Sequence, residues 1–511
     1  MMERLQMLFA RRLAQRNAER EAQEEIAAHG HDGSPLQTWV DDKYTLDPDT
    51  CLSHTLSLHS AVRQSPLKSR VNTLALLHRR EGSSNGRGRH VGNFCRSEQV
   101  HLTTRFLPSA QDLSLKEDGR GRGQAYIGQF SESGDMFTAV FGASVRLYDV
   151  DGWRLRKEVF ARNRAPRDTA LSPDGRFLVY ASMSPVVHIV STAPVEGGGI
   201  ESVQNVTELH DSLDFGTEQH RFALFTLRFS SDGREIIAGS NDRSIYLWDL
   251  ESNRRTLRLQ GHEDDINAVS FLDSSSQVLA TGSDDTFVKI WDRRDLSSEK
   301  PCGVLLGHTQ GVAYIDAKMD GRHLISNGKD QCVKLWDIRK MMPSSDFNSM
   351  PERDRVVANG RHFLWDYYRP YPASWASVRH PHDCSLATFR GHKVLRTLIR
   401  CHFSPRHTTG QRYIYTGSQC GAVHIYDIVT GELVRKLRRR GHGARVLVRD
   451  CSWHPTDPQL VAVWWDGALG AWECKSRLGG ESEDEDVPPG IGNGMEEGSS
   501  DDEDQLGFGY F

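Results

Sequence analysis

Trp291-Asp292-Arg293-Arg294 and Trp336-Asp337-Ile338-Arg339 lie 45 residues apart, and each closes a unit that opens with Gly-His, at Gly261-His262 and Gly307-His308. In both units the Trp-Asp follows the Gly-His by 28 to 30 residues. Self-similarity at a period of about 40–45 residues marks a repeat architecture, in which one unit cannot bury its apolar faces alone and must stack on its neighbours. No other feature of the chain constrains its fold so tightly.

Aligning the last residues of each unit's third strand counts seven repeats: Val145–Asp149, Val187–Val190, Ile245–Asp249, Val288–Asp292, Val333–Asp337, Val423–Asp427 and Leu469–Glu473. Most alternate apolar with polar residues, the period of a strand with two unlike faces. Ser172-Pro173-Asp174-Gly175, Ser231-Asp232-Gly233 and Trp453-His454-Pro455 supply turns between first and second strands. The spacing and the Gly-His and Trp-Asp punctuation predict an all-β fold, a seven-bladed WD40 β-propeller over residues 96–477. The seventh unit runs out of chain before its outer strand, and an uncovered sheet edge is a liability. The segment from Val100 to Leu107 is expected to supply that strand and close the ring.

Two insertions interrupt the rhythm. Residues 191–217 lengthen the connection between the second and third blades. Residues 341–385 are as long as a whole repeat and contain Trp365-Asp366. An eighth blade is disfavoured there, because prolines 343, 351, 370, 372 and 381 are wrong for central strands. Residues 1–95 read as an N-terminal extension, a helix (Leu5, Leu8, Phe9 and Leu13 at helical spacing) followed by a flexible linker. Residues 478–511 read as a disordered tail. From Glu481 onward there are eleven acidic residues and no Lys or Arg, and taking them from the net charge of −5 leaves +6 on residues 1–480.

No apolar run approaches a membrane span, and the acidic residues among the first thirty argue against a transit peptide. Nine cysteines without a paired C-x-x-C spacing read as reduced thiols of a nuclear or cytoplasmic protein.

Several constellations imitate an active site. His262, Thr281, Asp285 and Trp291, and again His308, Ser326, Asp330 and Trp336, bring together the groups of nucleophilic catalysis. Their positions along a blade instead predict structural tetrads, a hydrogen-bond chain from Trp N–H through hydroxyl and imidazole to carboxylate. Cys401-His402 and the run from His380 to Cys384 lack the spaced pairs of a zinc site. No metal, cofactor or catalytic residue is expected, and a hydrolase is the least favoured alternative.

Arg294 and Arg339 follow Trp-Asp at the same place in consecutive blades, which puts both on one face of the ring. Guanidinium suits recognition of carboxylates and carbonyls. The doubled Trp-Asp-x-Arg resembles the motif of the WD40 substrate receptors of cullin-4 RING ubiquitin ligases. Further segments carry the likeness: His262–Val269, Leu324–Asp330, Lys334–Arg339, Phe389–Pro405, His407–Gln411 and Asp450–Pro455. The resemblance covers roughly residues 95–475. It implies a non-catalytic receptor that binds the triple-propeller damaged-DNA-binding adaptor through Asp292, Arg294, Asp337 and Arg339. Cullin-4 and the RING subunit would then be indirect partners, and an unidentified protein would be the substrate.

The root of the 341–385 insertion falls beside Arg339, so Trp365, Tyr367, Tyr368, Tyr371 and Trp375, of hot-spot types, are candidates to extend that face. Substrate selection then falls to the opposite face and the central channel. Arg435, Lys436, Arg438, Arg439 and Arg440, with Arg445 and Arg449 beyond, form a basic run that serves the alternative reading, a scaffold in chromatin or RNA assemblies. Direct nucleic-acid binding is not expected of the receptor. Ser482, Ser499 and Ser500 precede acidic residues and are candidate phosphorylation sites.

Overall fold

The computed structural model describes residues 45–46, 107–108, 110–115, 124–161, 166–192, 210–216, 222–298, 300–355, 375, 377–439 and 446–473, and the fold is stated for these. They form seven antiparallel sheets of four or five strands. Blade 1 holds Ala125–Phe130, Met136–Phe141, Ser144–Asp149 and Arg154–Phe160. Blade 2 holds Asp168–Leu171, Phe177–Ala181, Val186–Ser191 and His210–Asp214. Blade 3 holds Leu224–Phe229, Glu235–Ser240, Ser244–Asp249 and Arg254–Gln260. Blade 4 holds Ile266–Phe271, Val278–Ser283, Val288–Asp292 and Gly303–Leu305. Blade 5 holds Val312–Ala317, His323–Gly328, Cys332–Asp337 and Ala387–Arg390. Blade 6 holds Cys401–Phe403, Tyr413–Thr416, Ala422–Asp427 and Leu433–Arg438. Blade 7 holds Val448–Trp453, Gln459–Trp464 and Leu469–Glu473.

The apolar core lies in the seams between blades. Seam 3–4 packs Ile237, Leu247, Val269 and Trp291 together, seam 4–5 packs Ala280, Ile290, Ile315 and Trp336, and seam 7–1 packs Phe137, Ala139, Val461 and Val463. Each of the larger aliphatic side chains and Phe137 contributes about 1.5–3 kcal/mol by leaving water. Because every seam is shared, no blade keeps its core once a neighbour is lost. A register shift recurs near the start of the first strand in blades 1, 3, 4, 5 and 7, for example between Ile266 and Ala268. Bulges of this kind add the local twist that crowded inner strands need.

The ring closes through Ala110–Leu115, which pairs with Leu469–Glu473 as the outer strand of blade 7. The expected segment, Val100–Leu107, stops short of it. Pro108 has no N–H to give a ladder, so pairing begins beyond it, and Leu107 is instead buried among Tyr413, Trp453 and Trp472 at the seam of blades 6 and 7. The 191–217 segment also differs from a bare connection, since His210–Asp214 within it is the outer strand of blade 2.

Two blades carry a fifth strand. Met342–Pro343 adds to Gly303–Val304 at the edge of blade 4, and Thr45–Leu46 adds to Ala387–Thr388 at the edge of blade 5. The N-terminal extension therefore contributes at least this pair of residues to the ring; its expected helix over residues 2–27 lies outside the described residues, as does the acidic tail. Six cysteines are described, all free, and Cys332, Cys401 and Cys451 are buried on strands. No helix among the described residues is long and apolar enough to cross a membrane.

Candidate functional site

Antiparallel alternation places the turn after each third strand on one face of the ring, together with the turns between first and second strands. The Gly-His loops and the turns between second and third strands share the other face. Arg294 and Arg339 therefore emerge from neighbouring blades on a single face, each in a short 3-10 turn, Arg293–Ser298 and Ile338–Lys340. Their side chains are 70% and 64% exposed. Asp292 Oδ1 accepts the backbone N–H of Arg294 at 3.0 Å, and its carboxylate takes the guanidinium through Nε at 2.8 Å and Nη2 at 2.6 Å. That pairing holds the Asp292 carboxyl below its ordinary range and raises Arg294. Asp337 is 4% exposed and accepts Arg322 at 2.6 Å, the backbone N–H of Arg339 at 3.1 Å and the Arg339 guanidinium at 3.4 Å. Asp337, expected as an adaptor contact, is thus almost wholly covered by the two arginines that it holds. It anchors the turn from beneath.

The tetrads are structural in their geometry. In blade 4, Trp291 Nε1 donates to Thr281 Oγ1 at 2.9 Å, His262 Nε2 lies 2.7 Å from the same hydroxyl, and His262 Nδ1 lies 2.7 Å from Asp285 Oδ2. Blade 5 repeats the chain with Trp336 to Ser326 at 2.7 Å, Ser326 to His308 at 2.6 Å and His308 to Asp330 at 3.0 Å. Burial lowers the basicity of His262. It also opposes ionisation of Asp285, but His262 beside it outweighs this and keeps the carboxyl low. The glycine of Gly-His has a steric reason as well: a Cβ on Gly261 would meet Trp291 Cη2 at 2.4 Å. The tetrad groups are all buried, so neither tetrad turns a nucleophile to solvent. Blade 6 opens with Gly391-His392, but His392 Nε2 lies 3.0 Å from Asn327 Oδ1 of blade 5 and Nδ1 lies 3.2 Å from Tyr426 Oη. The third Gly-His thus stitches two blades together.

Ligand-type atoms of His308, Asp330 and Cys332 lie within 4.8 Å of one another. Hydrogen bonds account for them, since both His308 nitrogens are used and the Cys332 thiol, pushed up by burial, donates to Asp330 at 3.0 Å. His380 Nε2 lies 2.9 Å from the Arg355 carbonyl oxygen and Nδ1 accepts the His382 N–H, which ties the His380–Cys384 run to the outgoing limb of the same insertion.

The described part of the 341–385 insertion leaves its own blade. After Met342–Pro343 joins blade 4, the helix Ser344–Ser349 lays Phe347 against Phe287, Val304 and Leu306 of that blade. Arg355 caps the Phe347 ring at 4.9 Å, and Lys334 of blade 5 pairs with Asp383 on the return limb. The outgoing limb of the insertion thus forms a strap over blade 4, where Phe347 finds its apolar partners. Trp375 is half-buried; Trp365, Tyr367, Tyr368 and Tyr371 lie outside the described residues, as do Ser482, Ser499 and Ser500.

The basic run divides. Arg435, Lys436 and Arg438 are exposed on the outer strand of blade 6. Arg439 is committed to Asp466 at 2.8 Å and to the Trp464 ring, and Arg440 and Arg445 lie outside the described residues. Arg449 is buried near the axis against Tyr126, where burial and the like charges of Arg400 and Arg167 bring it down to about 9. It does not belong to the rim.

The sequence reading missed the strongest charge feature of the ring, an ionic network across its axis. Asp168 of blade 2 accepts Arg400 of blade 6 at 2.5 Å, Arg228 of blade 3 at 2.9 Å and the Leu227 N–H at 3.0 Å. Arg400 also reaches Asp450 of blade 7 at 3.2 Å, and Asp450 accepts the Gly128 N–H of blade 1 at 3.1 Å. Burial opposes ionisation of Asp168 and Asp450, yet the arginines win and hold both carboxyls low.

Fold, tetrads and repeated seams define a non-catalytic WD40 β-propeller. Residues 215–249, 253–292 and 299–337 match the family described as WD domain, G-beta repeat. The chain is 44% identical to a LEC14B homolog from Prunus armeniaca over 82% of its own length and 86% of that protein's. It is 42% identical to the LEC14B protein of Lithospermum erythrorhizon, over 79% of this chain and 83% of the relative. The chain belongs to the LEC14B family of WD40 proteins. It also has homologues named DDB1- and CUL4-associated factor 11, one from Caenorhabditis briggsae being 38% identical over 61% of this chain and 54% of its own length.

Proposed function

We propose that the protein is the substrate-recognition subunit of a cullin-4 RING ubiquitin ligase. It docks on the DDB1-type triple-propeller adaptor with the face that carries Arg294 and Arg339 and offers the opposite face to a protein substrate. The carrying observation is the pair of exposed arginines at one position of adjacent blades on one face. Relatives named for association with DDB1 and CUL4 agree with it. The buried tetrads fit the same reading, since their hydroxyl, imidazole and carboxylate groups are spent on holding strands together. Cullin-4 and the RING subunit join through the adaptor, and the chemistry belongs to them and to a conjugating enzyme.

The test is capture of purified adaptor by the full chain and by the Arg294→Ala/Arg339→Ala double variant, with folding checked by thermal melt. Binding by wild type and loss in the folded variant is the expected result. A wild type that fails to bind overturns the proposal.

One observation favours a second reading. Arg435, Lys436 and Arg438 line an open sheet edge, so a scaffold in nucleic-acid-associated assemblies predicts RNA or DNA binding that weakens steeply with salt and requires those residues.

A further inference from the structure

Arg294 and Arg339 stand at the same position on neighbouring blades and are almost equally exposed, yet they are held differently. Arg294 closes a two-point pair on its own Asp292 at 2.8 and 2.6 Å, whereas Arg339 reaches Asp337 only at 3.4 Å. The cause lies one strand away. Asp337 Oδ2 is taken at 2.6 Å by Arg322, at the foot of the second strand of blade 5.

The ladder identifies the equivalent residue in blade 4. His323 pairs with Asp337 and Val278 with Asp292, so Gln277 stands where Arg322 stands. The backbone repeats the equivalence: the Gln277 carbonyl accepts the Arg293 N–H at 2.9 Å, and the Arg322 carbonyl accepts the Ile338 N–H at 3.0 Å. Gln277 is neutral and its amide donates to the Ser275 carbonyl, so it does not compete with Arg294 for Asp292. Blade 6 is an independent instance. Arg412, next to the Tyr413 that pairs with Asp427, grips that aspartate at 2.9 and 2.6 Å. Two residues past Asp427 comes Val429, so the clamp forms there with no following arginine involved. In blades 5 and 6 the arginine at this ladder position claims the strand-end aspartate, whereas in blade 3 Arg234 holds the position, its carbonyl accepting the Leu250 N–H at 2.9 Å, without an ion pair to Asp249.

The geometry points to Arg322 as a positioning residue that keeps Asp337 occupied and so leaves Arg339 as the primary anchor for a partner carboxylate or carbonyl, with Arg294 secondary. A guanidinium already chelated has two of its five donors spent and must break that pair before it can bind elsewhere. The raised proton affinity of Arg294 beside Asp292 agrees with its being engaged. This inference rests on the docking reading of the face, but the state of the two arginines in the free protein can be measured without any adaptor.

The experiment combines arginine labelling by phenylglyoxal, read by peptide mass spectrometry on the full chain, with adaptor affinity of the same variants. In wild type, Arg339 is expected to label about threefold faster than Arg294 or more, the scale of an exposed ion pair. Arg322→Gln copies the residue that blade 4 already carries, so it should fold; it is expected to slow Arg339 to the rate of Arg294, and Arg322→Lys to restore it. Gln277→Arg should speed Arg294. In adaptor binding, Arg339→Ala should cost about tenfold or more, as for a hot-spot arginine, and Arg294→Ala about threefold or less. Unchanged labelling of Arg339 in Arg322→Gln, or equal losses for the two alanine variants, overturns the inference and leaves docking intact. A wild type that binds no adaptor overturns the docking reading and the anchor role with it, whatever the labelling shows.

Discussion

Replacing Asp168 by Asn tests whether the axial ion network holds the ring together. The side chain is buried and serves three donors from two other blades: Arg400, Arg228 and the Leu227 N–H. Asparagine keeps the volume and an oxygen for Leu227, but removes the charge that the buried Arg400 and the part-buried Arg228 guanidinium groups face. Arg400 retains Asp450 at 3.2 Å, whereas Arg228 has no second carboxylate within ion-pairing distance among the described residues. Breaking one side of a buried pair costs about 3–5 kcal/mol, a large part of the roughly 5–15 kcal/mol that keeps a domain folded. Equilibrium urea unfolding at neutral pH should show a fall in midpoint of about 1 M or more, given slopes of about 1–3 kcal/mol per molar. Adding Arg400→Met should cost less than its effect alone, because one of the two carboxylates that Arg400 serves is already neutralised. A loss under about 1 kcal/mol for Asp168→Asn, or strictly additive losses in the double variant, refutes the reasoning.

Two further perturbations probe the blades. Ser326→Ala strips the Trp336 N–H and His308 Nε2 of their shared partner and should lower stability by about 1–3 kcal/mol, read as a shift in the urea midpoint; no shift would mean the tetrad contributes nothing net. Acid should act through blade 6, where burial brings His392 down to about 3 and His424 to about 4. Both are neutral when folded, and the unfolded chain takes up their protons first near pH 6.5, so stability is complete above that value and falls as pH drops toward 4. The loss should be about 2–3 kcal/mol per histidine by pH 4.5. His424→Phe, which preserves the ring stack on Tyr426, should flatten part of that slope; an unchanged acid profile would count against His424 as a source.

What could be read from the sequence was whatever repeats locally. All seven third strands fall where their apolar alternation put them, and the Trp, hydroxyl, His and carboxylate groups of blades 4 and 5 meet because each blade supplies its own four. The axial network has no such spacing. It draws Asp168, Arg228, Arg400 and Asp450 from four blades, and its only local trace is a charge in or beside an inner strand that should be apolar. The closing strand was misplaced because Val100–Leu107 has stronger strand character than Ala110–Leu115, while the break at Pro108 decides where pairing starts. The inequality of Arg294 and Arg339 depends on Arg322 and Gln277, each 15 residues before its aspartate, and only the ladder register brings them into view.

Ring closure through Ala110–Leu115 also has a consequence for biosynthesis. The strand leaves the ribosome roughly 350 residues before its partner, and at about 5–20 residues per second it waits on the order of 20–70 s unpaired. During that interval the nascent chain carries an open sheet edge at each end, and blade 1 lacks the seam it will share with blade 7. Two such chains on one message could complete each other's seventh blade, so a translating polysome is where an exchanged dimer of this propeller would form, and where a chaperone that shields strand edges would have the most to do.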